Sequence, residues 1–84
     1  GIEEESEKHS PLSISPNPAQ SVIEIYSEFE MSAINVFDVK GNLCTELDAK
    51  QNAHQLQISS LERGVYFLRV ETVEGSVFGK FIKE

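Results

Sequence analysis

Tryptophan is absent from this chain, cysteine occurs once, and histidine twice. The single thiol, Cys44, forbids an internal disulfide and rules out a cysteine-built metal site. A zinc centre needs about four converging ligands. His9 falls in a polar N-terminal stretch, and His54 opens a strand-like segment beside polar loop residues, where a solvated imidazole is expected. No glycine-rich loop leads from a strand into a helix, so there is no phosphate cradle. Ser59 and Ser60 have no base in view, and Cys44 reads as a small apolar strand residue. No catalytic, cofactor-binding or metal residues are therefore assigned, and an enzyme is not expected.

Other absences narrow the partners. No apolar run is long enough for a membrane span, and no secretory signal peptide opens the chain. The first residue is Gly1 and not Met, so the chain reads as an excised piece or one with a leftover glycine, any export signal lying upstream. Basic residues are scarce, seven against 14 acidic ones, for a net charge of −7. Without a basic patch interleaved with aromatics, nucleic-acid binding is not expected. One cysteine fits a reducing compartment, and equally an exported protein that uses no disulfide.

What is present is mostly strand. With 84 residues, 39% hydrophobic and 25% charged, the composition is that of one small globular domain. Residues 1–11, GIEEESEKHSP, carry Glu3, Glu4, Glu5 and Glu7 and read as an acidic flexible linker. From residue 12 to residue 84 the pattern alternates. Strands are expected at 12–15, 22–26, 32–39, 43–48, 54–59, 65–72 and 76–83, with no helix. Leu43, Thr45 and Leu47 fall in phase on the fourth, and Gly41 offers the positive φ of a tight hairpin before it. Seven short strands in this length predict an all-β fold, an immunoglobulin-like antiparallel β-sandwich.

Local motifs refine that expectation. Leu61, Gly64 and Tyr66 have the L-x-x-G-x-Y spacing of a tyrosine corner, in which the phenol bonds back to the upstream backbone and Leu61 plugs the end of the sandwich. Pro16, Asn17 and Pro18 stop one strand before the next begins. The last strand is apolar on both faces, and Gly79 permits either a bulge or close packing. A regular strand puts Lys80 and Lys83 on opposite faces. As a terminal strand it can expose an unpaired edge, open to a partner strand or to self-association between copies.

In order, these motifs resemble a family. The Pro16-Asn17-Pro18 turn, then Phe37, Asp38 and Gly41, then Leu61, Gly64 and Tyr66, then Lys80, Ile82 and Lys83 resemble the type IX secretion C-terminal sorting domains (type A) of Bacteroidetes cargo proteins. The resemblance spans residues 12–84 and departs from the family pattern at Asn42, Glu62 and Glu84. It implies a non-catalytic address label on a larger cargo, which it directs from the periplasm across the outer membrane to the surface or medium. Its implied partners are the translocon, an upstream cargo domain in the same chain, and a sortase-like peptidase that cleaves in or near residues 1–11. Gly64, Tyr66, Gly79, Lys80, Ile82 and Lys83 would form the sorting motif, supported structurally by Pro16, Asn17, Pro18, Asp38, Gly41 and Leu61. The alternatives are a stand-alone secreted or periplasmic immunoglobulin-like binding module, and an accessory adhesion or carbohydrate-binding sandwich within a larger enzyme. The second is weakened by the missing tryptophan.

Overall fold

A computed structural model describes residues 12–84 of the chain, so the linker expected at 1–11 lies outside the described residues. The strands are β1 (Leu12–Ser15), β2 (Val22–Ser27), β3 (Met31–Phe37), β4 (Leu43–Asp48), β5 (Ala53–Gln57), β6 (Gly64–Thr72) and β7 (Gly75–Lys83), with no helix among the described residues. They form two antiparallel sheets, one ordered β1-β2-β5 and the other β4-β3-β6-β7. All seven expected strands are present, with ends shifted by at most two residues.

Alternation along each strand builds the core. Leu12, Ile23, Ile25 and Leu56 from the first sheet meet Ile34, Val36, Tyr66, Leu68, Val70 and Phe81 from the second, all buried. Burying an aliphatic or aromatic side chain of this size stabilises a fold by about 1.5–3 kcal/mol. Phe81 is the largest side chain fully shielded from water, so the end of β7 is anchored in the core. β5 ends at Gln57, before the expected Ser59: the Ile58 N–H makes one last bond in register, to the Ser21 carbonyl at 2.8 Å, and the Ile58 carbonyl then turns to accept the Leu61 N–H at 3.0 Å.

Two expectations need correction or resolution. Leu43 is not in phase with Thr45 and Leu47. The β3–β4 register shifts between Val36 and Phe37, so Leu43 pairs with outward-facing Phe37 and is 50% exposed. An extra residue in one strand of a pair reverses the phase beyond it. At Gly79 the β6–β7 register runs without interruption, which excludes the bulge and leaves close packing. A Cβ there would stand 2.8 Å from Ile14 Cδ1 and 2.9 Å from Leu12 Cδ2. Glycine thus lets β1 lie directly against β7 and brings the two sheets together at that corner.

Candidate functional site

The outer edge of β7 is where the sequence motifs converge. Its inner edge pairs with β6 along its whole length, from Gly64 opposite Lys83 to Thr72 opposite Gly75. On the outer side the Pro16–Pro18 turn crosses from the other sheet and laces itself to the strand. Asn17 Oδ1 accepts the Ile82 N–H at 2.9 Å, and Asn17 Nδ2 donates to the Lys80 carbonyl at 3.4 Å. Ala19 continues the contact: its N–H donates to the Ile82 carbonyl at 2.8 Å, and its carbonyl accepts the Glu84 N–H at 2.7 Å. Ala19 and Lys83 form a parallel bridge. Pro16 and Pro18 bring no N–H of their own to this crossing, so neither leaves a donor to be satisfied.

The expectation of an unpaired terminal edge is corrected accordingly. From Lys80 to Glu84 the edge is occupied by the chain's own turn. Alternation points the backbone groups of Ser76 and Phe78 to the same side. No strand lies beside that part of β7 among the described residues. The open edge is short, and it lies away from the motif residues Ile82 and Lys83.

The tyrosine corner forms as expected. Tyr66 is buried, and its hydroxyl donates to the Glu62 carbonyl at 2.6 Å. Its ring stacks on Phe81, with centroids 5.5 Å apart and planes at 18°. Burial, the largest cause, pushes the phenol pKa above its usual value. Leu61 donates its N–H to the Ile58 carbonyl at 3.0 Å and packs on the core from the sandwich end. Gly64, at φ 150°, opens β6 opposite Lys83. Because the corner bond goes to a backbone oxygen, Glu62 serves there as well as a proline would.

Asp38 organises the β3–β4 hairpin. Its Oδ1 accepts the backbone N–H groups of Lys40 and Asn42, each at 2.9 Å, and Oδ2 accepts Asn42 Nδ2 at 3.2 Å. Gly41, at φ 86°, donates to the Asp38 carbonyl at 3.0 Å. A side chain at that φ would be strained, which is why the loop needs glycine. The Asn42 N–H, chiefly, holds the Asp38 carboxyl below the usual carboxylate range. Asn42, one of the departures from the family pattern, thus binds back to Asp38 through both backbone and side chain.

Register places all of these at one end of the sandwich. That end holds the β1–β2 crossing, the Asp38 hairpin, the tyrosine corner and the final residues of β7. Lys80 is exposed on the outer sheet face, whereas Lys83 points inward, is 9% exposed, and donates from Nζ to the Glu84 carbonyl at 3.3 Å. The two lysines do lie on opposite faces. Ile82, 44% exposed, shares the outer face with Lys80. Of the residues read as a sorting motif, only Lys80 and Ile82 present side chains freely at the surface. Tyr66 and Gly79 are taken up by the core and the sheet contact, so their role here is to hold β7 in place.

The long-range bonds of Asn17 and Ala19 were not foreseen from the sequence. An asparagine held between two prolines is a visible signal for a fixed side chain, but nothing marks Ala19 as its companion. Cys44 is exposed on β4, its Sγ 3.6 Å from the Asn42 carbonyl, and His54 is half-buried on β5. Among the described residues no three His, Cys, Asp or Glu side chains converge. What the arrangement offers is a shaped and anchored surface.

Two packed antiparallel sheets, a tyrosine corner and a parallel bridge from the first turn to the last strand define an immunoglobulin-like β-sandwich. The crystal structure of a DUF3244 family protein with an immunoglobulin-like β-sandwich fold from Bacteroides vulgatus superposes with a TM-score of 0.71. The alignment covers 92% of this chain and 88% of that one at 17% identity, a likeness of fold. The chain belongs to the secretion system C-terminal sorting domain family, whose model matches residues 13–84. A search of curated proteins finds no match.

Proposed function

We propose that this domain is a non-catalytic secretion signal of the type IX system, which directs a larger cargo protein across the outer membrane to the cell surface or medium. The observation that carries this reading is the family match across residues 13–84. The geometry is in keeping with it, since the family motif residues gather at one end of the sandwich around β7. In this reading the translocon is the partner. The acidic residues Glu3, Glu4, Glu5 and Glu7 belong to a linker in or near which a sortase-like peptidase releases the cargo. The domain passes through the periplasm as substrate and ligand of the machinery.

The test is a fusion of Gly1–Glu84 to a periplasmic reporter in a cell that carries the type IX machinery. Reporter at the surface or in the medium is the expected result, and reporter retained in the periplasm overturns the reading. Deleting Gly79–Glu84 should abolish export. That deletion also strips Phe81 from the core, a loss of about 3–5 kcal/mol by comparison with large-to-small core substitutions. Surface substitutions on β7 are the cleaner probe.

A further inference from the structure

The two outer sheet faces differ in kind. Over the three-stranded sheet the outward side chains are Ser13, Ser15, Val22, Glu24, Tyr26, Ala53, Gln55 and Gln57, of which Tyr26 is the one exposed large apolar group. Over the four-stranded sheet a row runs Leu43, Phe37, Phe67, Lys80 across all four strands, each residue the registered neighbour of the next. Ile82 and Phe78 flank Lys80 on β7. Exposure is 50% at Leu43, 42% at Phe67, 44% at Ile82 and 69% at Phe78. A contiguous apolar face of this sort, rimmed by polar residues, marks an interaction surface in a soluble domain.

Charge is also unevenly divided. Of the six basic residues after position 11, Lys40, Arg63, Lys80 and Lys83 lie at the motif end or on the strand that enters it. The same end also carries Glu62 in the tyrosine corner, Glu84, and Asp38, whose carboxylate is bound by the hairpin's own N–H groups. The opposite end carries Glu28, Glu30, Asp48 and Glu74 in its turns and strand ends, against Lys50. The opposite end is therefore the more acidic of the two, and an acidic partner meets less repulsion at the motif end.

We infer that the outer face of β4-β3-β6-β7, centred on Phe67 and Lys80, is the surface that docks onto a protein partner presenting apolar side chains flanked by carboxylates. The inference rests on the secretion-signal reading and names the face which that reading uses. The apolar row supplies the desolvated centre of the interface. Lys80, set among Phe67, Phe78 and Ile82, is positioned to meet a carboxylate inside an apolar surround, with Lys40 and Arg63 at the rim.

The test uses the reporter fusion with Phe67→Glu, Ile82→Glu, Lys80→Glu and Lys80→Arg, beside Tyr26→Glu and Gln55→Glu on the other sheet. Thermal unfolding of each purified chain selects the variants that remain folded. Among those, Phe67→Glu, Ile82→Glu and Lys80→Glu are expected to lower surface delivery at least tenfold. Lys80→Arg and the two variants on the other sheet should export as the wild type does. Wild-type delivery by folded face variants overturns the docking face while leaving the secretion reading intact. Failure of the unsubstituted fusion overturns that reading itself. If Phe67→Glu fails but Lys80→Glu exports normally, the partner is not acidic and the inference is overturned in that respect. Sedimentation adds one more outcome: a wild-type dimer that Phe67→Glu converts to monomer makes a second copy the occupant, and overturns the partner named here.

Discussion

Asn17 and Ile82 are 65 positions apart, and the side-chain oxygen of the first accepts the backbone N–H of the second at 2.9 Å. With its amide nitrogen on the Lys80 carbonyl, the Asn17 side chain acts as a single peptide group from a neighbouring strand. The first turn of the domain thereby closes the edge of the last strand. In consequence the family's opening and closing motifs are one structural unit.

Replacing Asn17 by alanine removes both bonds and leaves the Ile82 N–H at the edge without its acceptor. A net hydrogen bond contributes about 0.5–1.5 kcal/mol, so a loss of roughly 1–2 kcal/mol is expected for the pair. Hydrogen exchange provides the specific readout. The amides of Ala19, Ile82 and Glu84 should exchange faster in Asn17→Ala, while those of β3 and the centre of β6 change only by the global loss. Asn17→Asp should restore protection at Ile82 in part, because it keeps the acceptor and gives up the donor.

Tyr66→Phe deletes the hydroxyl that bonds the Glu62 carbonyl and keeps the stack on Phe81. A loss of about 1 kcal/mol is expected. For a domain of this size that lowers Tm by roughly 4–8 °C. Glu62→Ala should change stability by less than about 0.5 kcal/mol, since the bond uses the backbone oxygen. A Glu62→Ala variant as unstable as Tyr66→Phe would show that the side chain matters to the corner.

Gly79→Val places a side chain where Ile14 and Leu12 already touch the backbone, and overpacking of this kind costs about 1–3 kcal/mol. Both contacting atoms are side-chain ends. Shortening Ile14 in the same chain should therefore recover part of the loss, giving a favourable coupling in a double-mutant cycle by urea denaturation. Simple additivity of the two substitutions would count against the close approach of β1 and β7.

Acid should weaken the fold through Asp38 and Glu71. Both carboxyls lie below their ordinary range, Asp38 chiefly through the Asn42 N–H and Glu71 chiefly through the Ser76 hydroxyl, with Arg69 second. A depressed carboxylate stabilises the native state above its unfolded pKa, about 3.9 for Asp and 4.3 for Glu, and that contribution is lost as pH falls through the folded value. Tm should fall below about pH 4. Asp38→Ala should flatten that slope, at the cost of a looser hairpin at neutral pH.

At the alkaline end the sign is reversed. The Tyr66 phenol, raised by burial, favours its protonated form in the fold. Its contribution is fully present below about pH 10, the unfolded value, and is lost as pH rises through the folded one. Ultraviolet titration should show a late-ionising phenol that disappears in Tyr66→Phe.

Strand identity was legible in the sequence because alternation is a local property. Ile23 and Ile25, or Leu68 and Val70, show their buried face without reference to any partner, and all four are buried as read. The tyrosine corner and the Gly41 hairpin were legible for the same reason: the Tyr66 bond to Glu62 and the Gly41 bond to Asp38 span four residues or fewer. The face of Leu43 was not, because its phase depends on how β4 registers against β3 and not on its own spacing.

The sequence by itself determined the all-β class, the strands, the turns and the order of the family motifs, all of which follow from side chains within a few residues of one another. Tertiary structure alone decided that the Asn17 turn seals the edge of β7, that Gly79 is a contact and not a bulge, and that Leu43 and Phe37 join Phe67 and Lys80 in one outer row. Each of those depends on residues that meet only when the two sheets close or the strands find their register, and no local spacing records such a meeting.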